Sequence, residues 1–239
     1  MKTQQKEFDR DGYLVFDTEI PQSFFSVLCE ETDRLISEHD NGRGRVQDAW
    51  EMSYMMKQIA LLPLIREKVS EMHGGKRADA FQTLNFRVGT EQKFHSDTIH
   101  FQSEPANLMA AAWVAFEPTD SDYGPLQVVP GSHLWPTMTM QDFGFPPDSG
   151  NYAVYNSCYE PAIQDMINER GVKPVQVHLK PGQCLIWAAN LLHGGSPIVD
   201  RDRTRRSMVT HYFLGGADSY WTPLLSGNQR RMRIPKWIR

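Results

Sequence analysis

Asp79-Ala80-Phe81-Gln82-Thr83-Leu84-Asn85-Phe86-Arg87-Val88 is the stretch at which this chain changes period. Phe81, Thr83, Asn85 and Arg87 alternate with Gln82, Leu84, Phe86 and Val88, the two-residue repeat of a strand. Upstream the repeat is helical. Pro21 opens a segment from Ser23 to His39 in which Phe24, Leu28, Leu35 and Ile36 recur at helical spacing, and Asn41-Gly42-Arg43-Gly44 ends it. Ser53 is suited to cap a second helix carrying Met56, Ile59, Ala60, Leu64 and Val69, with Pro63 as a kink or break and Gly74-Gly75 as its end. A short β-type run, Gly12 to Phe16, precedes both.

Downstream, Asn107 to Phe116, Leu126 to Val129, Val175 to Leu179, Gln183 to Ala188 and Arg206 to Leu214 read as further strands. Turn chemistry separates them, at Asp120 to Gly124, Pro130-Gly131 and Pro181-Gly182. The Ala-rich run ending in Trp113 would suit a helix by composition, and its neighbours make it a strand. Pro161 to Arg170 adds a short helix capped by Gly171. Residues 134–160, rich in Pro, Gly, Asp and Met, lack strong periodicity, which in a compact domain points to a lid. The pattern predicts a mainly β fold of the α+β class. It is a double-stranded β-helix (jelly roll, cupin-like) whose N-terminal helices pack outside the larger sheet. One domain over 1–239 is expected, since no Gly/Ser-rich or charged linker divides the chain.

Composition narrows the function. Hydrophobic residues make up 40% and charged residues 23% of 239 positions, as in folded globular proteins. A net charge of −4 argues against nucleic acid as a partner, although basic residues gather at Arg201 to Arg206 and Arg230 to Arg239. No apolar run spans a membrane and Met1 to Glu7 has no secretory core, so a cytoplasmic protein with no membrane partner is expected. The 3 cysteines, Cys29, Cys158 and Cys184, lack metal-type spacing. Any bound metal must therefore be held by His and Asp.

Phe94-His95-Ser96-Asp97 offers such a pair, because on an extended strand residues two apart share a face. By itself a His-x-Asp triplet is equally an ordinary pair at a strand end. A third ligand, for which His193 in Leu192-His193-Gly194-Gly195 is the candidate, would complete two imidazoles and one carboxylate. That face leaves positions on a non-haem Fe(II) open for a co-substrate and O2. Arg206 begins the last long strand, and if it points inward with Met208, Thr210 and Tyr212 it needs a carboxylate partner.

With these residues in place, 79–214 resembles the phytanoyl-CoA dioxygenase family of Fe(II)/2-oxoglutarate oxygenases. The likeness rests on four blocks in order: Phe94-His95-Ser96-Asp97; Ala112 to Glu117; Gly124-Pro125-Leu126-Gln127-Val128-Val129-Pro130-Gly131-Ser132-His133; and Leu192-His193-Gly194-Gly195-Ser196 followed by Arg206-Ser207. The resemblance implies that His95, Asp97 and His193 bind Fe(II), and that Arg206 binds the distal carboxylate of the co-substrate 2-oxoglutarate. Arg205 is the alternative to Arg206, because the loop before it is longer than is usual in the family. Asn85, Trp113 and Ser196 are further co-substrate candidates. The implied reaction consumes O2 and 2-oxoglutarate, releases succinate and CO2, and oxidises a substrate C–H bond. A carboxylate at position 97 favours hydroxylation over halogenation.

The expected substrate is a small polar metabolite or natural-product intermediate, enclosed by Trp50, Tyr54, His100, Gln127 and the 134–160 segment. Two other classes stand beside this one: a non-catalytic jelly-roll binding protein, and a cupin-like metal enzyme that uses no 2-oxoglutarate. Oligomeric state is left open.

Overall fold

The change of period near residue 79 separates a layer of helices from two layers of strand. The computed structural model describes residues 2–40, 42, 44–143, 152–226 and 230–239. The larger sheet has six antiparallel strands. In spatial order they are β1 (Tyr13–Asp17), β8 (Gln183–Ala188), β5 (Met109–Ala115), β10 (Ser207–Leu214), β3 (Ala78–Phe86) and β2 (Arg45–Gln47). A smaller sheet runs β7 (Val175–Val177), β6 (Leu126–Val128), β9 (His193–Gly195), and a two-stranded piece pairs β11 (Ser219–Trp221) with β4 (Gln102–Glu104). This is the jelly-roll architecture expected from the sequence.

Side-chain alternation builds the layers. On β5, Ala110, Ala112 and Val114 face the helices, while Ala111, Trp113 and Ala115 face the smaller sheet. On β8, Cys184 and Ile186 take the first side and Leu185 and Trp187 the second. Every residue of β5 and β10 is buried, because each strand is covered on both faces.

Helices α1 (Lys2–Asp11), α2 (Phe24–His39), α3 (Tyr54–Ala60) and α4 (Pro63–Met72) form the outer layer. Phe25, Leu28 and Leu35 of α2 and Ile65, Val69 and Met72 of α4 are buried against the sheet. The second predicted helix is two. Ser53 Oγ accepts from Met56 N to start α3, and Pro63 opens α4, where its missing N–H costs nothing. α1 was not expected from the sequence; Phe8 is its one buried residue among those described, so its apolar signal is faint. No helix among the described residues is long and apolar enough to cross a membrane.

A buried polar tie helps to fasten the layers. Tyr212, fully buried on β10, donates from its hydroxyl to the carbonyl of Ala60 at the end of α3, 3.0 Å away. Tyr212→Phe strips that carbonyl of its partner in a dry place and should cost about 1–2 kcal/mol. Urea or guanidinium unfolding reads this as a lower midpoint; an unchanged midpoint would mean the tie contributes nothing.

Candidate metal centre

Two segments about a hundred residues apart meet through their backbones. His95 N donates to His193 O at 3.0 Å and His193 N donates to His95 O at 2.9 Å, an isolated antiparallel bridge. His193 is also paired with Val128 of β6, which fixes it to the smaller sheet. So close an approach leaves no room for side chains beside it. A Cβ on Gly194 would stand 2.8 Å from Gln92 O, and one on Gly195 2.9 Å from Glu91 N. The two glycines after His193 are therefore a steric requirement of the bridge.

Asp97 reaches the same place by a route the sequence did not suggest. His95 and Asp97 do not share a regular strand: His95 makes the single bridge, and Asp97 opens a 3-10 turn, Asp97–Ile99. The turn swings the carboxylate toward His193. One ligand atom from each of His95, Asp97 and His193 lies within 4.8 Å of the others, and all three side chains are buried.

Hydrogen bonds set which atoms are presented. His95 Nδ1 lies 2.9 Å from Lys93 O, and His193 Nδ1 lies 3.0 Å from Leu191 O. A carbonyl only accepts, so each Nδ1 carries the proton and each Nε2 presents its lone pair. Trp187 Nε1 donates to Asp97 Oδ2 at 2.8 Å, which leaves Oδ1 facing His193 Nε2 at 3.7 Å and His211 Nε2 at 3.9 Å. Burial, reinforced by His193 and His100, pulls His95 down to about 3. Burial pushes Asp97 upward, but His193, His211, His95 and the Trp187 N–H outweigh it and hold the carboxyl below its ordinary value. A neutral imidazole and a carboxylate are the forms a divalent metal takes.

These groups line a cavity of ≈ 380 Å³. Arg205 lines it too and is 5% exposed. Its Nη1 donates to Gly124 O at 3.0 Å, its guanidinium lies 5.1 Å from the centre of the Trp113 ring, and its Nε is buried with no partner. Burial lowers its pKa to about 10. No ion pair to Arg205 occurs among the described residues, so this is a buried cation lacking its anion.

Arg206 does not reach the cavity. It points to the helix side, where Nε donates to Asp33 Oδ1 at 3.0 Å, Nη2 to Asp33 Oδ2 at 2.5 Å and Nη1 to Glu117 Oε1 at 2.7 Å. The expectation that Arg206 points inward is corrected by strand parity. Met208 and Tyr212 pack against the helices, whereas Val209 and His211 line the cavity, and Arg205 continues the odd-numbered set.

Other expected residues divide in the same way. Trp113 and His100 line the cavity; the 3-10 turn carries His100 back to within 5.8 Å of His95, ring centre to ring centre. Asn85 lies on the opposite face of β3, its Nδ2 3.1 Å from Met56 Sδ, while Gln82, Leu84 and Phe86 face inward. Ser196 is buried just outside the lining, its N donating to Pro125 O at 2.8 Å.

Trp50, Tyr54 and Gln127, expected around the substrate, do not line this cavity. Trp50 sits on the outer layer with its Nε1 donating to Asp48, and Tyr54 is 75% exposed at the start of α3. Gln127 alternates with Leu126, which takes the inward position. Of the 134–160 segment, Tyr152 and Tyr155 line the cavity, and residues 144–151 lie outside the described residues. Sequence reading missed Trp187 as the donor to Asp97, His211 as its neighbour, and Arg45 and Arg233 as lining residues. Alternation from the buried Leu185 would have placed Trp187 on the inner face.

The phytanoyl-CoA dioxygenase (PhyH) family model matches residues 8–207. The peroxisomal phytanoyl-CoA dioxygenase of Rattus norvegicus is 24% identical over 198 residues, covering 79% of this chain and 54% of that protein, so the chain spans about half the length of that relative. Among solved structures, the epimerase SnoN in complex with Fe3+, alpha ketoglutarate and nogalamycin RO superposes with a TM-score of 0.67 at 22% identity, over 89% of this chain and 82% of that one. EctD from S. alaskensis with 2-oxoglutarate and 5-hydroxyectoine gives 0.72 at 18% identity, over 96% and 81%. At such identities the superpositions establish the fold.

The Trp187 contact yields a test of the centre itself. Trp187→Phe keeps the packing and frees Asp97 Oδ2 to rotate, so affinity for Fe(II) or Co(II) should fall about tenfold or more. Anaerobic metal titration measures it, and an affinity equal to wild type would show that the indole does not orient the carboxylate.

Proposed function

The chain belongs to the phytanoyl-CoA dioxygenase family, and from that premise we propose that it is an Fe(II)- and 2-oxoglutarate-dependent oxygenase that oxidises a C–H bond of a small polar substrate. Residues 1–239 act as one catalytic domain. His95 Nε2, Asp97 Oδ1 and His193 Nε2 hold the iron. Arg205, not Arg206, receives the distal carboxylate of 2-oxoglutarate.

The donor set fits the metal: three buried ligand atoms within 4.8 Å of one another, two of them imidazole nitrogens whose partner nitrogens are engaged by carbonyls. The co-substrate fits an orphan. Arg205 is a buried guanidinium with an unpartnered Nε in the same cavity, and a carboxylate supplied by a ligand satisfies both its charge and its free N–H. This is the observation that carries the reading. A binding protein without redox chemistry has no use for an unpaired cation beside three converging metal ligands, and a cupin-like enzyme without a keto acid would leave Arg205 unsatisfied.

When bound, iron and 2-oxoglutarate supply activation of O2, with release of succinate and CO2 and oxidation of the substrate. The protein's part is placement. Trp187 holds Asp97 to one free oxygen, the Lys93 and Leu191 carbonyls hold the two rings in orientation, and Trp113 forms the floor beneath Arg205. Trp113, Leu126 and Val209 add apolar surface to the same lining.

The two adjacent arginines separate the reading from its rivals. Arg205→Gln should weaken 2-oxoglutarate binding about 10- to 100-fold, the worth of a charge-assisted pair. Arg206→Gln should leave that affinity within about twofold while lowering the melting temperature, since it breaks the tie to Asp33 and Glu117. Calorimetric titration of 2-oxoglutarate into the anaerobic Fe(II) protein measures both. A loss on Arg206→Gln with none on Arg205→Gln would reverse the assignment, and binding to neither protein nor wild type would end it.

A further inference from the structure

Beyond the metal ligands the cavity is walled by a run of rings. Tyr152, Tyr155, His100, Phe101 and Tyr220 all line it. Taken in that order, neighbouring ring centres lie 6.3, 5.7, 6.2 and 5.8 Å apart, so the rings form one continuous surface. They come from three parts of the chain: the helical segment that carries Tyr152 and Tyr155, the two residues that follow the 3-10 turn Asp97–Ile99, and β11. The surface starts at the metal centre, because the His100 ring lies 5.8 Å from that of His95.

Core packing accounts for only one side of these rings. Phe101 and Tyr220 rest against Phe81, at 5.2 and 6.0 Å between ring centres, yet both stay partly exposed, as does His100. Tyr220 is fixed by pairing with Ser103 of β4 and by backbone bonds to Arg233, whose N donates to its O at 2.7 Å and whose O accepts from its N at 3.0 Å. Tyr155 differs in being 3% exposed, and it opens a π-turn, a local irregularity that recurs at ligand sites. Its hydroxyl is buried and completes no hydrogen bond among the described residues. Burial pushes its pKa up, against a smaller pull from the Gln92 amide, so the phenol is an O–H donor in need of an acceptor. Gln92 lines the cavity too, its side-chain nitrogen 3.2 Å from His95 Nε2, which places this unmet donor one amide away from the metal-binding nitrogen.

From this arrangement we infer that the substrate is a flat, unsaturated ring compound bearing a carbonyl oxygen. Its ring lies against the surface of His100, Phe101 and Tyr220, and its oxygen accepts from the Tyr155 hydroxyl. The inference deepens the oxygenase reading and rests on it only in calling the ligand a substrate; binding of such a ring is independent of it. Planar rings in contact gain beyond the area they bury, an advantage that a saturated body of the same size lacks. Stacking alone leaves a flat molecule free to turn in its own plane, and the hydrogen bond to Tyr155 removes that freedom. A ring held at both places lies beside the metal centre, since His100 stands 5.7 Å from Tyr155 and 5.8 Å from His95.

The test uses three probes on one bicyclic skeleton: 1-tetralone, with a benzene ring and a ketone; tetralin, with the ring and no ketone; and 1-decalone, with the ketone and no aromatic ring. Each is titrated by calorimetry into the full chain loaded anaerobically with Fe(II) and 2-oxoglutarate, as wild type, Tyr155→Phe and Tyr220→Leu. Wild type should bind 1-tetralone more tightly than either of the others. Tyr155→Phe keeps the ring and removes the hydroxyl, so affinity for 1-tetralone should fall about threefold to tenfold while that for tetralin is unchanged. Tyr220→Leu should weaken 1-tetralone and tetralin alike, by about threefold or more, and 1-decalone least. Binding of 2-oxoglutarate should be the same in all three proteins.

Equal affinity for 1-tetralone and 1-decalone, equal affinity for 1-tetralone and tetralin, or binding of none of the probes would each overturn the inference. Tyr155→Phe binding 1-tetralone as wild type does would also overturn it, by showing that the hydroxyl meets no ligand oxygen. A loss of 2-oxoglutarate affinity on Tyr155→Phe would overturn it too, by assigning that hydroxyl to the co-substrate. Should Tyr155→Phe fail to fold, the wild-type series and Tyr220→Leu decide the matter. If 2-oxoglutarate itself does not bind, the oxygenase reading fails separately, and the same titrations on the unloaded protein still decide the ring site.

Discussion

The pair of backbone hydrogen bonds between His95 and His193 is the contact on which the centre depends. It joins the two ends of the jelly roll's central stretch at a single residue pair, and it brings two imidazoles together with their rings 4.4 Å apart, centre to centre. No side-chain interaction could position them so closely without a rigid main chain behind each. The requirement then propagates outward. Gly194 and Gly195 must lack side chains, Lys93 and Leu191 must present carbonyls to the rings, and β6 must hold His193 from its other edge. A small number of main-chain bonds thus does the work usually credited to the ligands.

The larger sheet imposes the second constraint. Because β10 is buried on both faces, consecutive residues at its entry serve opposite compartments. Arg206 goes to the helix layer, where Asp33 and Glu117 neutralise it, and Arg205 goes to the cavity, where no carboxylate among the described residues does. The two guanidiniums differ in cost. Arg206 is a satisfied structural cation that ties α2 to the sheet, while Arg205 is tolerable only if its desolvation is offset by a ligand anion. Their adjacency in sequence conceals this division of labour.

That concealment marks the boundary of what could be read from the amino acids. The strand and helix layers were legible because Phe24, Leu28 and Leu35 repeat with helical period and the residues after Asp79 repeat with period two. His95, Asp97 and His193 were legible as candidates because a histidine-carboxylate pair and a His-Gly-Gly run are unusual chemistry in recognisable surroundings. The face of β10 was not legible. Alternation identifies a face only when one side is wet, and eight consecutive buried residues erase the contrast. Tyr54, Trp50 and Gln127 failed for another reason: their place depends on where α3, the outer layer and a three-residue strand dock, which no local pattern encodes. Arg45 was hidden likewise, since β2 is too short to declare itself.

The segment after residue 151 shows how the outer wall is coupled to the metal ligands. Its helix begins with Tyr152–Val154, passes through a π-turn at Tyr155–Tyr159, and becomes regular over Glu160–Arg170. A π-turn adds one residue to the helical repeat and so rotates what precedes it. Here the rotation lets Tyr155 line the cavity while Tyr159 stays fully buried, the two rings stacked at 5.1 Å. The Tyr159 hydroxyl in turn accepts from Ser96 N at 3.3 Å, in the residue between His95 and Asp97. A displacement of this helix therefore pulls on the backbone that carries His95 and Asp97, and a displacement of those residues is felt at the aromatic wall. Burial raises Tyr159 to about 12, so the hydroxyl keeps its proton throughout the physiological range and the link does not switch with pH. What fills the cavity beside Tyr155 is thus connected to His95 and Asp97 through the stacked Tyr155–Tyr159 pair and the hydrogen bonds between Tyr159 and Ser96.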